Sequence, residues 1–504
     1  MLSHHGNLNY YIFDIDGPLD IDHLQSCCQL LIEKHSILRS VFVAYRRSIQ
    51  QVVLENIPVK FSRLLGNKEM CYSIIQEDQR NEFSLGNSFT AFMLVEQDSH
   101  HHSLIVRLAH AVYDGISISK VFSDLKEVYA RGTMAEYSDF SPYLLYKDSV
   151  TEGCQTYWRN YLQGATMTKF LSRPKPSYKE VGNTSVQKSI RLVSLSNYGI
   201  TTANIIKAAW ALCLAQLSGK SDIVFGELVN GRSIPVPGID NMIGVTLTNI
   251  PVRVQLDESL TVLKLLQKIQ DRQLESMPFE SFGFSQIVEQ CTDWPGWIQF
   301  GSIISHDNIP MSHRSFSTSQ TEWDLREVYG NGNDEADLGI VSTIEGDNLS
   351  ISIAFCNNVL STEFMNEVLG QLCDLIETFT SDPHAKLPNY SSTIFPQHIP
   401  IPHTQGFLSK KLIRPTRSES LILSVVQQVW ESVLLDEEGT FVIEEIPKDM
   451  PFYKVWGRLI AAAHFSFEFQ QRGFNISMEE VIDHPTIRLQ VGLCLEKSGS
   501  NLVS

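Results

Sequence analysis

The chain has 504 residues, 43% of them hydrophobic, which is long and apolar enough for two or three domains with full cores and excludes a disordered polymer. A formal charge of -17 leaves no basic excess to displace counterions from phosphates, so a nucleic-acid surface is excluded too. The nine cysteines contain no C-x-x-C pair and lie in apolar segments, and neither a signal peptide nor an apolar run of membrane-spanning length is present, so the expectation is a cytoplasmic protein with reduced core thiols and no membrane partner.

Asn9 to Asp14 reads as a strand, closed by Gly17-Pro18-Leu19-Asp20. A helix follows, with Leu24, Cys28, Leu31 and Ile32 at helical spacing, and leads into Lys34-His-Ser-Ile-Leu-Arg-Ser-Val-Phe42. Residues 51 to 88 alternate strand and helix signals too generic to assign. Ala91 to Val95 is a short apolar strand, joined by the polar turn 97–102 to Ser103–Leu108, and the two are expected to pair antiparallel. In the latter run Leu104, Val106 and Leu108 share one face, and Ile105 and Arg107 the other. His100, His101 and His102 sit by the turn, where three adjacent imidazoles cannot all face one metal ion.

His110 stands where this strand ends. With Asp114 four residues on and Gly115 next, one tight loop holds an imidazole, a carboxylate and a permissive backbone. A neutral imidazole there could take a proton from a nucleophile; alternatively, His110 merely closes the strand and Asp114 caps a helix beginning near Ile116.

Beyond that helix, aromatic clusters at Tyr137 to Tyr143, Tyr157-Trp158 and Tyr161 read as core. Residues 165–190, rich in Lys, Ser, Thr and Pro, read as a linker between two lobes. The second lobe opens with a helix from Thr201 to Leu217 whose stripe is Ile205, Ala208, Leu212 and Ala215, then a strand at Ile223–Phe225, strands near 337–344 and 349–356, and a helix at 362–379. Phe395 to His403 is a proline-punctuated connector that opens the linker 396–418. A helical domain follows at 419–497, with Leu421, Val425, Val429 and Val433 striping its first helix and further helices near 455–472 and 486–496.

Taken in order, these segments resemble the condensation domains of nonribosomal peptide synthetases. Arg107-Leu-Ala-His-Ala-Val-Tyr-Asp-Gly-Ile-Ser117 is similar to His-His-x-x-x-Asp-Gly and to the fungal terminal variant Ser-His-x-x-x-Asp-x-x-Ser/Thr, through His110, Asp114, Gly115 and Ser117, with Ala109 departing at the first position. Lys34 to Phe42 resembles Arg-His-x-x-Leu-Arg-x-x-Phe. Gly226 to Ser233 resembles the Gly-x-x-x-x-Gly-Arg turn, followed by Gly238 to Gly244 and the strand Ile243 to Arg253, where Thr248 replaces the family Asn. Met277-Pro-Phe-Glu280 matches Pro-Phe-Glu, and Ser305 to Pro310 resembles Gln-His-x-Asn, its His306 read as structural. The tail resembles a carrier-protein domain at Trp430, Val433, Leu434 and Asp483 to Ile487, but Leu459 falls where the phosphopantetheine-accepting serine belongs.

The resemblance implies an α/β fold: two chloramphenicol-acetyltransferase-like lobes forming a V, residues 1–165 and 166–395, plus a small C-terminal helical bundle. The family's first motif precedes the opening strand, so the resemblance implies either a fragment with a truncated start or a misplaced start. His110 is expected to take or steer a proton, Asp114 to hold the loop through Arg39 (with Lys34 as alternate), and Gly115 and Ser117 to shape it. No metal or cofactor is implied, since substrates arrive as peptidyl thioesters on the phosphopantetheine arms of carrier-protein domains in other synthetase modules. The expected reaction is amide formation or cyclising release. Two alternatives stand beside it: an idle condensation-like scaffold, and a standalone acyltransferase using coenzyme A.

Overall fold

The first strand, β1 (Leu8–Asp16), is apolar on both faces: Tyr11, Phe13 and Ile15 point into one core, Tyr10 and Ile12 into another. Such a strand belongs inside a sheet covered on both sides. The computed structural model describes residues 8–390 and 417–500, apart from 46–47, 81–85, 170–182, 192, 295–297, 308–314, 319, 331–335, 358–359, 435–457, 478–479, 482–483 and 485.

After β1 come α1 (Ile21–Lys34), a hairpin of β2 (Ser40–Tyr45) and β3 (Ser48–Val53), then β4 (Phe61–Leu65), α2 (Met70–Arg80), β5 (Ala91–Glu96) and β6 (His101–Ala109). Residues 51–88, unassigned from sequence, thus hold two strands and a helix. β4 and β5 run parallel, with α2 as the crossover that parallel strands need. β5 and β6 pair antiparallel as expected, Ala91 opposite Arg107. The alternation in β6 is also as read: Leu104, Val106 and Leu108 join α1 and α3 (Gly115–Arg131), while Ile105 packs with Cys71 and Ile75 of α2. Two helices, α4 (Ser141–Ser149) and α5 (Thr151–Leu162), then lead out of this half.

The second sheet starts inside the stretch expected to be linker. Residues 183–191 form β7 (Asn183–Arg191), paired along its length with a later strand, and 170–182 lie outside the described residues. Polar composition suggested a loop, but β7 is an edge strand that needs only Val186 and Ile190 inward. α6 (Thr202–Ser218) follows. Its expected stripe is only part of what it buries, because every residue from Asn204 to Gln216 is inaccessible, Lys207 included. Next come β8 (Asp222–Val229), β9 (Thr248–Gln255), α7 (Val262–Ser276), α8 (Phe284–Cys291) and β10 (Phe300–Asp307).

The chain then returns to the first sheet. β11 (Ser315–Ser317) and β12 (Glu322–Gly330) pair antiparallel, and β12 pairs with β1, giving the order β11-β12-β1-β6-β5-β4. A boundary near 165 therefore does not assign one sheet to each side of it. β13 (Ala336–Glu345), β14 (Asn348–Cys356) and α9 (Thr362–Ser381) complete the second sheet, ordered β7-β14-β13-β10-β8-β9. Its largest core lies between α6, α7, α9 and the strands.

Residues 396–416 of the expected linker lie outside the described residues. The tail contributes α10 (Arg417–Leu434), α11 (Arg458–Gln471) and α12 (Ile487–Ser500), which share a core of Ile422, Val426, Val429, Trp430, Phe465, Phe469 and Cys494. Of the expected stripe of α10, Val429 is buried and Val425 half-buried; Ile422, Val426 and Trp430 are buried beside them, and Trp430 Nε1 donates to Gln490 Oε1 at 2.6 Å. No described helix is long and apolar enough to cross a membrane.

Candidate active site

β6 ends at Ala109, and His110–Val112 make a single 3₁₀ turn before α3 begins. His110 is exposed, whereas Val112, Tyr113 and Asp114 are buried. The imidazole Nδ1 lies 3.2 Å from the Tyr113 carbonyl oxygen. A carbonyl only accepts, so this contact puts the proton on Nδ1 and leaves the Nε2 lone pair free in the neutral ring. The Tyr113 ring stacks on the imidazole with 4.9 Å between centroids and 8° between planes.

Both carboxylate oxygens of Asp114 are engaged. Its Oδ1 caps α3 by accepting from the Ser117 N–H at 2.7 Å. Its Oδ2 accepts from the Thr246 N–H (3.1 Å), the Thr246 hydroxyl (2.9 Å) and Arg232 (3.3 Å). Burial by itself raises this carboxyl, but Arg232 and the donors from Ser117 and Thr246 outweigh it and hold Asp114 below the usual carboxylate range.

The expected partner, Arg39, is not the one used. A 3₁₀ turn over Ser36–Arg39 directs its guanidinium to the carbonyls of Leu54 and Glu55, behind the hairpin. Lys34 pairs with Glu136 instead, at 3.1 Å. The residue of that segment that reaches α3 is His35, whose Nε2 is 3.0 Å from Asp124 Oδ2. Asp124 Oδ1 accepts from the Tyr137 hydroxyl at 3.0 Å, so His35 and Tyr137 meet at one carboxylate.

Arg232 stands in the Gly-Arg turn after β8. Its other nitrogen donates to the carbonyls of Ile239 (2.5 Å) and Met242 (3.1 Å), which shapes the loop that carries Thr246. Gly231 has φ +63, and a Cβ there would lie 2.0 Å from the Thr246 carbonyl oxygen, so only glycine lets these two stretches touch. Ser117 closes the same junction. Its hydroxyl donates to the Gly244 carbonyl (2.8 Å) and accepts from the Gly244 N–H (3.0 Å).

Gly115 begins α3 and is not among the positive-φ glycines, so the permissive backbone expected there is not drawn on. Ala109 points into the core shared with Leu8 and Tyr10. The departure at the first motif position is therefore apolar packing. Sequence reading missed Arg232 and Thr246, although an arginine directly after a buried strand and a glycine turn is itself a signal, since a buried cation needs a partner.

A second polar group lies in the other lobe. Lys207 donates to both oxygens of Glu227, at 2.8 and 3.0 Å. Burial, then the charge of Glu227, pushes the nearby Glu280 carboxyl up to about 7. His306 Nδ1 is 2.9 Å from Ser342 Oγ, and burial holds this imidazole below its ordinary range. At the expected turn, His101 pairs with Asp98 while His102 turns inward; among the described residues no three His, Cys, Asp or Glu side chains gather as a metal ligand set.

Residues 3–394 match the family model described as "Condensation domain". The chain belongs to the condensation-domain family. Two similar proteins are the "Nonribosomal peptide synthetase apmB" of Penicillium brevicompactum, 36% identical over 302 residues, and "Nonribosomal peptide synthetase 1" of Aspergillus fumigatus, 29% identical over 503 residues. The matches cover 60% and 96% of this chain but only 13% and 8% of those proteins, so the chain spans about a tenth of the length of the curated relatives it matches. A solved structure described as "The crystal structure of SeMet-CT" superposes with a TM-score of 0.67 at 30% identity, covering 76% of this chain and 89% of that one. The condensation-domain fold, two mixed sheets with helices, is thus shared.

Proposed function

We propose that this condensation domain forms an amide bond from a carrier-bound thioester in nonribosomal peptide biosynthesis, and that it is of the fungal terminal type, in which the attacking amine can belong to the same peptide. The observation that carries this reading is the exposed imidazole of His110 with Nδ1 committed to a carbonyl. The amine nitrogen bonds to the thioester carbonyl carbon as the carbon–sulfur bond breaks. Nε2 takes the proton from the amine and returns it to the departing sulfur. Such a proton transfer is worth about 10²- to 10⁴-fold, and holding the reactants together supplies much of the rest. The Asp114–Arg232 pair keeps the loop in shape.

The domain takes no cofactor of its own on this reading, because activation arrives with the thioester. Its partners are carrier-protein domains and other modules of a cytoplasmic synthetase. The tail is proposed to be a carrier-like docking module that accepts no phosphopantetheine, because Leu459, in the first turn of α11, stands at the acceptor position.

Replacing His110 with alanine in the native host tests the reading without knowledge of the peptide. The expected result is loss of the released product, with peptidyl thioester held on the upstream carrier and visible by intact-protein mass. Unchanged product would leave the idle-scaffold reading in its place.

A further inference from the structure

We propose that Tyr113 is a positioning residue for His110, a fixed aromatic platform that holds the imidazole in one orientation and one tautomer. The inference rests on the reading of His110 as the base.

The local geometry supplies the first argument. The turn at His110–Val112 ends on Tyr113, whose backbone is extended, and the ring of this capping residue lies against the imidazole of His110. The rings are almost parallel, 8° apart, and the backbone carbonyl of the same tyrosine meets Nδ1. One residue therefore restrains the imidazole by its face and by its edge.

The second argument is that the platform itself is anchored. Tyr113 is 2% exposed, and its hydroxyl accepts from Asn9 Nδ2 at 2.6 Å and from the Tyr11 hydroxyl at 3.0 Å. Both partners are on β1, the strand paired with β6. The tyrosine is thus pinned to the sheet that carries His110, and Tyr11 is in turn packed edge-on against Phe122 of α3. Any buried tyrosine hydroxyl needs a partner, and both that Tyr113 uses are side chains of a single strand, which fixes the direction of the ring. Burial, partly offset by hydrogen bonds from Tyr11 and Asn9, pushes the Tyr113 phenol up to about 12, so it stays neutral and offers the site a surface in place of a second acid.

An exposed imidazole tied by a single 3.2 Å contact can rotate about its own side-chain bonds and exchange its proton between nitrogens. Stacking limits the rotation and so keeps Nδ1 against the Tyr113 carbonyl, and a base held in the productive tautomer need not wait for it.

The test uses the full chain with 15N-labelled histidine, the His110 resonances being assigned by their loss in His110→Gln. In the wild type the two-bond nitrogen–proton spectrum of the neutral ring should show a protonated Nδ1 and an unprotonated Nε2. Tyr113→Leu, which retains the carbonyl, should give averaged shifts, and Tyr113→Phe, which keeps the ring but loses its two anchoring hydrogen bonds, should give less averaging than Tyr113→Leu. Wild-type shifts in Tyr113→Leu would overturn the proposal, as would identical averaging in both variants accompanied by equal loss of melting temperature. If Tyr113→Leu does not fold, Asn9→Ala decides: partial averaging supports the platform, and an unchanged spectrum overturns it. Because the spectrum needs no substrate, an ordered His110 in a chain whose His110→Ala form still releases product would defeat the catalytic reading alone.

Discussion

Arg232 and Asp114 meet where the turn after β8 reaches the start of α3, guanidinium nitrogen 3.3 Å from carboxylate oxygen, with their side chains 3% and 1% exposed. A pair so deeply buried is of modest net worth, but leaving one charge alone is costly. Asp114→Ala should therefore lose about 3 to 5 kcal/mol in urea unfolding, and Asp114→Ala with Arg232→Met should recover part of it. An unchanged midpoint in Asp114→Ala would remove the pair from any structural role.

The same pair makes a pH prediction. Asp114 is depressed in the folded state, so its stabilising share is full above the unfolded value of about 3.9 and is lost as pH falls through the lower folded value. The stability gap between the wild type and Arg232→Met should narrow below about pH 4. A gap that stays constant to pH 2, measured by thermal melts, contradicts the assignment.

Glu280 carries the opposite sign. Its carboxyl is raised to about 7, so the folded chain holds a proton that the unfolded chain has released. Stability should fall as pH rises from about 4.3 to 7 and then level off, by on the order of 3 to 4 kcal/mol. Glu280→Gln should flatten this slope and be the more stable form at pH 8. Parallel pH curves for the two proteins would show that Glu280 titrates normally.

These groups mark where sequence reading ended. Strand alternation revealed β6 and its pairing with β5, because Leu104, Val106 and Leu108 against Ile105 and Arg107 is a local pattern with period two. The His110 loop was likewise visible, with its cap. Arg39 was the wrong partner for Asp114 because the true one lies 118 residues away, and no local periodicity encodes which basic residue a carboxylate will find. β7 was missed for a different reason: an edge strand with one dry face needs so few apolar residues that its composition is that of a loop. The return of β12 to the first sheet had no signal at all in residues 315–330, since pairing between strands far apart in sequence is a property of the whole fold.

The tail yields a prediction about one atom type. Transfer of a phosphopantetheine arm needs a hydroxyl, and Leu459 offers only carbon. Incubating the purified full chain with a broad-specificity phosphopantetheinyl transferase and coenzyme A should leave its intact mass of 57.0 kDa unchanged. Appearance of the arm's mass within residues 419–497 would restore a working carrier.

The pairing of β12 with β1 also orders events on the ribosome. Until residue 330 has left the exit tunnel, β1 is an open edge, with Tyr10, Tyr11, Ile12 and Phe13 beside an unfilled row of backbone donors and acceptors. The sheet bearing His110 is therefore finished late, after most strands of the second sheet have been synthesised, and the nascent chain passes through a stage in which β1 can pair with the wrong strand. Cutting the chain at 170–182 after folding should, by the same topology, leave two fragments stitched together through β12, whereas expressing residues 1–165 alone should give a sheet with that seam exposed and a protein that aggregates.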